Sequence, residues 1–194
     1  MNEQYQNAHG NQHVTRWEID PANSMIRFTI RHMMVSTVRG QFTGFRGDMV
    51  YDHQLEQPVG VMVEIDAGSI DTGQVQRDIH LRSGDFLDVE NYPQIRFASR
   101  EVESIGSDHY RVHGDLRILR TTRQVVLDVT FEGIGEDPDG NMWASFTGTT
   151  EINREDFSLT WNRALDAGGV MIGDSVRIYL EIQAIQQAER GTSG

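Results

Sequence analysis

Tyr110–Gly133, YRVHGDLRILRTTRQVVLDVTFEG, contains two runs whose apolar residues return at every second position. In the first, Tyr110, Val112, Gly114, Leu116 and Ile118 share a face, with Arg111, His113, Asp115 and Arg117 on the other. In the second, from Gln124 to Gly133, Val125, Leu127, Val129 and Phe131 stand against Asp128, Thr130 and Glu132. A repeat of two is the mark of a strand with one buried face, because successive side chains of an extended chain point to opposite sides. Arg120–Gln124, between the runs, is expected to turn the chain back on itself. The unit is therefore an antiparallel pair that is greasy on one side only.

The pattern extends in both directions. Ser24–His32 puts Ile26, Phe28, Ile30 and His32 on one face and Met25, Arg27, Thr29 and Arg31 on the other. Met33–Val38 is expected to form a short helical turn, and Arg39–Tyr51 a bent strand marked by Gly40, Gly44 and Gly47. Gly60–Ala67, Gln94–Val102, Met142–Asn153 and Ser175–Ala184 read as further strands, and the acidic run Glu136–Asn141 as a hairpin turn. Asp20–Asn23 is a turn set by proline and by Asx side-chain bonding. Short helices are expected near Val75–Leu81 and after Asn153, a good N-cap followed by Glu155 and Asp156. About eight one-faced strands, with no long amphipathic helix to cover them, must bury their faces on one another as a sandwich or a closed barrel. A barrel of that size is either filled by its own side chains or hollow enough for one small ligand.

Composition narrows the functional classes. One domain accounts for 194 residues, expected over 16–186 between a polar lead-in, 1–15, and a flexible tail, 187–194. The formal net charge of −12 disfavours nucleic acid, and no run approaches the roughly 18 apolar residues that span a bilayer, so stable membrane insertion is not expected. Cysteine is absent, which excludes disulfide and thiolate chemistry. The amino-terminal residues lack the apolar core of a secretory signal, which points to a cytoplasmic location.

An ordered set of motifs resembles the YceI-like family over roughly residues 17–185. It includes Trp17-Glu18-Ile19-Asp20-Pro21, Gly40-Gln41-Phe42, Ser69-Ile70-Asp71-Thr72-Gly73, Arg77-Asp78-x-His80-Leu81 and Asp85-Phe86-Leu87-Asp88-Val89. It continues through Tyr92-Pro93-x-Ile95-x-Phe97 and Gly114-Asp115-Leu116 to Ile152-Asn153-Arg154-x-Asp156-Phe157 and Gly173-Asp174-x-Val176. The resemblance implies an all-β fold: an eight-stranded antiparallel, extended lipocalin-like barrel with one or two short helices around an apolar cavity. It further implies non-covalent binding, transport or sequestration of a long-chain amphiphile (a polyisoprenoid, an isoprenoid quinone or a fatty-acid derivative), and a homodimer. Two departures stand out. Arg120–Gln124 replaces the family's turn sequence, and Ser158 takes the place of a common glycine.

The chemistry-bearing residues concentrate in Ile65–Phe97. On a helix, Arg77 and His80 lie three apart and share a face, and an arginine fork beside an imidazole suits a charged head group. Arg77, Asp78, His80, His32 and Arg154 are therefore the head-group candidates. The competing reading is that Arg77 and Asp78 pin the loop to the barrel rim. The apolar pocket is expected from Ile26, Phe28, Ile30, Phe42 and Phe86, then Ile95, Phe97, Val112, Leu116 and Val129. Phe146, Ile152, Trp161, Ile178 and Leu180 complete it. Thr160–Gly173 is expected at the barrel mouth, with Trp161, Leu165, Val170 and Met171 as an apolar lip.

Asp71, Asp78, Asp85 and Asp88 read as turn-formers, and no Gly-x-Ser-x-Gly, His-Glu-x-x-His or phosphate-binding loop occurs. No catalytic residue and no cofactor are expected. His32, His80 and His113 match no metal-ligand spacing, so no metal is expected either. The alternatives are an enzyme acting on a lipid head group through His80 and Asp78, and a stress or scaffold protein whose barrel is fully packed.

Overall fold

The computed structural model describes residues 13–33, 35–163 and 171–188. Eleven strands form one continuous antiparallel sheet. They are β1 (Val14–Ile19), β2 (Met25–His32), β3 (Ser36–Phe42), β4 (Phe45–Asp52), β5 (Gln57–Asp66), β6 (Ile70–Asp71), β7 (Gln94–Ser104), β8 (His109–Ile118), β9 (Thr121–Glu136), β10 (Met142–Asn153) and β11 (Ile172–Gln186). The α-helix α1 (Val75–Arg82) follows β6. Strands β1, β4, β5, β7, β8, β9, β10 and β11 pair in that order, and β1 pairs with β11 to close an eight-stranded barrel.

The closure is asymmetric. The carboxy-terminal part of β11 pairs with β1 (Trp17 opposite Gln186, Ile19 opposite Ala184), while its earlier part pairs with β2 (Val176 opposite Ile30, Glu181 opposite Met25). The ring thus parts at one end into a flap of β2, β3 and β6. The turn that swings the chain from ring to flap is the expected Asp20–Asn23 segment, where Asp20 Oδ1 accepts from the Ala22 amide at 3.0 Å. Buried Ser24 then ties β2 to β11 by accepting from the Gln183 amide at 2.9 Å.

Several expectations change in detail. Met33–Val38 is not a helical turn: Ser36 already pairs with His32, which leaves a tight turn at the hairpin tip. Arg39–Tyr51 is two strands rather than one, broken at Thr43-Gly44, where Gly44 packs at Ser69 and Asp66. Strand β1 opens at Val14, inside the segment expected as lead-in. The β8–β9 hairpin turns on Leu119-Arg120, since Ile118 pairs with Thr121, and Leu119 takes a φ of 54°. Ser158 lies at φ 66°, ψ 18°, in the left-handed region, so serine holds a conformation that glycine adopts without strain.

Two clusters make up the core. The smaller one, Trp17, Met49, Ala144 and Ala184, with Phe131 and Tyr51 against it, fills the end where the ring is closed. The larger one, which includes Ile70, Leu87, Ile95, Phe97, Leu116 and Phe157, lies toward α1 and the flap.

Candidate functional site

The inward faces do not meet. They surround a cavity of about 400 Å³ that runs along the barrel and is lined almost wholly by carbon. That volume falls within the range of roughly 300–1,000 Å³ for small-molecule sites. The lumen-facing residues of β11 run from Val176 to Ala184, which gives a length of ~20 Å once a rise of ~3.3 Å per residue and a strand tilt of ~40° are applied. All fifteen positions read as apolar pocket residues line this space, including Ile26, Phe97, Leu116 and Leu180. Gly114 shows how tightly the wall is built: a Cβ there would stand 2.4 Å from the Phe97 ring, so the ring lies flat over bare backbone. Gly148, by contrast, faces the lumen, with the nearest atoms to a Cβ at 3.3 Å on Leu180 and 3.5 Å on Val129.

The polar candidates separate into distinct roles. Arg77, His80, His32 and Arg154 line the cavity near the open end, whereas Asp78 does not. Asp78 is buried and its Oδ1 accepts from the Thr72 amide at 3.0 Å and from Thr72 Oγ1 at 2.5 Å. The Thr72 hydroxyl in turn accepts from Arg77 Nε at 2.7 Å, and Arg77 Nη2 donates to the Thr72 carbonyl at 2.9 Å. Asp78 thus fixes the loop, Thr72 relays that constraint, and Arg77 is held with Nη1 left over. Asp78, expected at a head group, stands instead outside the lumen lining with its Oδ1 serving the loop, as the competing reading of a pinned loop has it.

Arg154 is also spoken for. It is 3% exposed. Its Nε donates to Gly173 O at 2.9 Å, Nη1 to the carbonyls of Leu159 and Trp161, and Nη2 to Asp174 at 3.2 Å. Four of its five N–H groups hold the two arms of the segment that follows β10.

His80 is oriented by Asp85, with Nε2 to Oδ2 at 2.8 Å, so the His80–Asp78 pair of the enzymatic alternative does not form. Its ring stands edge-on to Trp161 (centroids 4.7 Å apart) and to Phe86 (5.0 Å), making an aromatic collar around a half-exposed imidazole. Met171 joins this rim, while Leu165 and Val170 lie outside the described residues. His113 points away from the lumen toward Glu103. Among the described residues no three His, Asp or Glu side chains converge as a metal site would require.

Sequence reasoning gave Thr72 no role and read Asp85 as a turn-former, yet these residues hold Arg77 and His80 in place. Asp85 lies five residues beyond His80, past the end of α1, and no helical spacing brings it there.

A ring closed at one end, a flap and helix at the other, and a carbon-lined lumen agree with the sequence comparison. The YceI-like domain matches residues 17–184. The chain belongs to this family. YceI-like relatives include a UPF0312 protein of Vibrio cholerae, 36% identical over 138 residues that cover 71% of this chain and 73% of the relative. A UPF0312 protein of Staphylococcus epidermidis is 34% identical over 171 residues, covering 84% and 94%. Among solved structures, the Campylobacter jejuni YCEI protein is 25% identical with a TM-score of 0.71, covering 82% of this chain and 91% of its own. A polyisoprenoid binding domain from Saccharophagus degradans, implicated in plant cell wall breakdown, shares the fold with a TM-score of 0.68 at 15% identity, covering 87% and 97%.

Proposed function

We propose that this protein binds a long-chain amphiphile non-covalently, with the tail in the barrel and the head at the collar of Arg77 and His80. The observation that carries this reading is the carbon-lined lumen of about 400 Å³, whose lining includes the charged or polar side chains Arg77, His80 and His32. If each tail carbon needs about the ~30 Å³ that a water takes in the liquid, the lumen holds about a dozen. At ~0.8 kcal/mol per methylene they gain ~10 kcal/mol, against at least ~4 kcal/mol for association. Charge-assisted hydrogen bonds from Arg77 add ~1.5–3 kcal/mol, so at that lowest association cost the dissociation constant is about a micromolar. The domain from Saccharophagus degradans is described as polyisoprenoid-binding, which supports an isoprenoid as the first ligand to try.

Native mass spectrometry of delipidated protein, titrated with a long isoprenoid, tests the reading. A one-to-one adduct that is lost on Phe97→Glu supports it, provided that variant retains its circular dichroism melt. No adduct at high micromolar ligand sinks it. Head-group chemistry is the rival, favoured by the imidazole that Asp85 orients beside the lumen. His80→Ala separates the two: a carrier loses modest affinity, an enzyme orders of magnitude in turnover.

A further inference from the structure

We propose that the open end of the barrel is a docking face for an anionic lipid bilayer. The proposal rests on the reading of the lumen as a carrier site, because a tail that leaves a dry tunnel needs an apolar phase to enter. Three observations converge on it.

The first is where the large exposed apolar side chains lie. Val75 and Ile79 are 71% and 54% exposed and sit one turn apart on α1. The same helix turns Leu81 and His80 to the lumen. Val35 and Met33, 85% and 46% exposed, lie at the β2–β3 hairpin tip. The two sites flank one opening. The Met33 amide donates to Met171 O at 2.7 Å, the Met171 amide to Arg163 O at 2.9 Å, and nearby Trp161 packs on His80 of α1.

The second is charge. The three turns at the closed end carry Asp52 and Glu56, Asp108, and Glu136, Asp137 and Asp139, with no arginine among them. At the open end Arg39, Arg120 and Arg123 are exposed, and none has a carboxylate partner among the described residues; they stand among the exposed acids Asp66, Asp85, Glu90, Glu155, Asp156 and Asp174. Arginine forks suit phosphate. Strand β9 runs 16 residues from one end to the other, ~40 Å along the axis at ~3.3 Å per residue and ~40° tilt, well beyond a Debye length of ~10 Å. An anionic surface therefore meets carboxylates without arginine at the closed-end turns, and unpaired arginine forks interspersed with carboxylates at the open end. Leu55, Ile105 and Ile134 are also exposed, but each sits in or beside one of the acidic turns, and exposed Val126 and Tyr179 stand singly along β9 and β11.

The third is continuity. The aromatic collar of Phe86 and Trp161 carries the apolar lining out to the rim. Among the described residues, that collar is what stands between the lumen and a bilayer touching Val75, Ile79 and the hairpin tip. Exposed apolar side chains next to cations are the recipe for interfacial rather than spanning association, and no helix of the described residues is long and apolar enough to cross a membrane.

Vesicle flotation of the full chain tests this, with mixed phosphatidylcholine–phosphatidylglycerol vesicles and with phosphatidylcholine alone, at low ionic strength. The wild type is expected to float with the mixed vesicles. Val75→Asp with Ile79→Asp should lower the bound fraction about tenfold or more, since a charge replaces each buried apolar contact. Arg39→Ser, Arg120→Ser and Arg123→Ser together should remove the preference for anionic lipid, and Leu55→Asp at the closed end should float like the wild type. No flotation of the wild type overturns the proposal, as does flotation indifferent to Val75→Asp and Ile79→Asp or abolished by Leu55→Asp. Uptake of the hydrocarbon fluorophore diphenylhexatriene is measured on the same samples. Wild type that loads the dye but does not float defeats docking alone, whereas failure to load defeats the tunnel reading whatever the vesicles show. Unchanged dye loading in Val75→Asp with Ile79→Asp certifies its fold.

Discussion

Gly148→Leu tests the hollow barrel through the sign of a stability change. Gly148 lies on β10 between Phe146 and Thr150 on the lumen side, and the atoms nearest a Cβ there are on Leu180, Val129 and the Asp128 carbonyl, at 3.3, 3.5 and 3.6 Å. Those neighbours need give by a few tenths of an ångström at most. The remaining carbons of the new side chain would extend into the lumen that Gly148 lines. In a hollow barrel they bury apolar surface and replace a glycine that weakens a strand by ~0.5–1 kcal/mol, so stability should rise by ~1–2 kcal/mol. For a domain of this size that is about 3–6 °C in Tm. In a packed barrel the same leucine would overfill the core and cost ~1–3 kcal/mol. The guest suffers in proportion: four carbons of lumen lost at ~0.8 kcal/mol each is ~3 kcal/mol, or about 100-fold in affinity. The assay is a thermal melt of the delipidated variant, paired with an isoprenoid titration followed by native mass spectrometry. A lower Tm together with undiminished affinity would refute the reasoning.

The remaining expectations concern the rim and the ends. Arg154→Lys keeps a charge but loses the fork that holds Leu159, Trp161, Gly173 and Asp174 together; it should cost ~2–4 kcal/mol in chemical denaturation and speed proteolysis after β10. Thr72→Val releases Arg77 from its hydroxyl relay, so affinity for an isoprenoid phosphate should fall while that for the matching alcohol stays level, as read by titration calorimetry. Ser158→Gly relieves a left-handed serine and should raise stability by up to ~1 kcal/mol, visible as a small gain in Tm. Burial is the leading cause that pushes the Tyr110 and Tyr51 phenols above their ordinary value. The folded state therefore binds those protons more tightly than the unfolded chain, their full contribution is present below a pH of about 10, and it is lost as pH rises past that point. Ultraviolet titration at the tyrosinate band should show two phenols ionising late.

The barrel was legible in sequence because each strand solves the same problem. Tyr110–Ile118 keeps five inward residues in register without interruption, and β9 does likewise from Val125 to Val129, so period alone assigns their faces; only a bulge at Ser145-Phe146 interrupts the β9–β10 register. Where the pattern breaks, so did the reading. Thr43-Gly44 shifts the lumen-facing set from Val38 and Phe42 to Met49, a change of parity that the glycines at 40, 44 and 47 hid in the sequence. A hairpin tip as short as that at Met33–Val35 has too few residues to show a period at all. The lumen residues were readable for the same reason as the core, since wall and core are one surface here. Asp78 was not: a carboxylate in a polar loop looks alike whether it meets a guest or a threonine, and only its burial and the 2.5 Å contact to Thr72 Oγ1 decide between them. Arg154 hid its role too, because its carbonyl partners come from separate turns at 159, 161 and 173.

The forked pairing of β11, with β1 on one half and β2 on the other, makes this vessel a sock rather than a pipe. Anything that slides in must do so toe first and leave heel first, so its polar terminus always rests at the cuff whatever the length of the rest. Guests too long for the foot would trail out past α1 instead of being refused, and selection would then fall on what sits at the cuff.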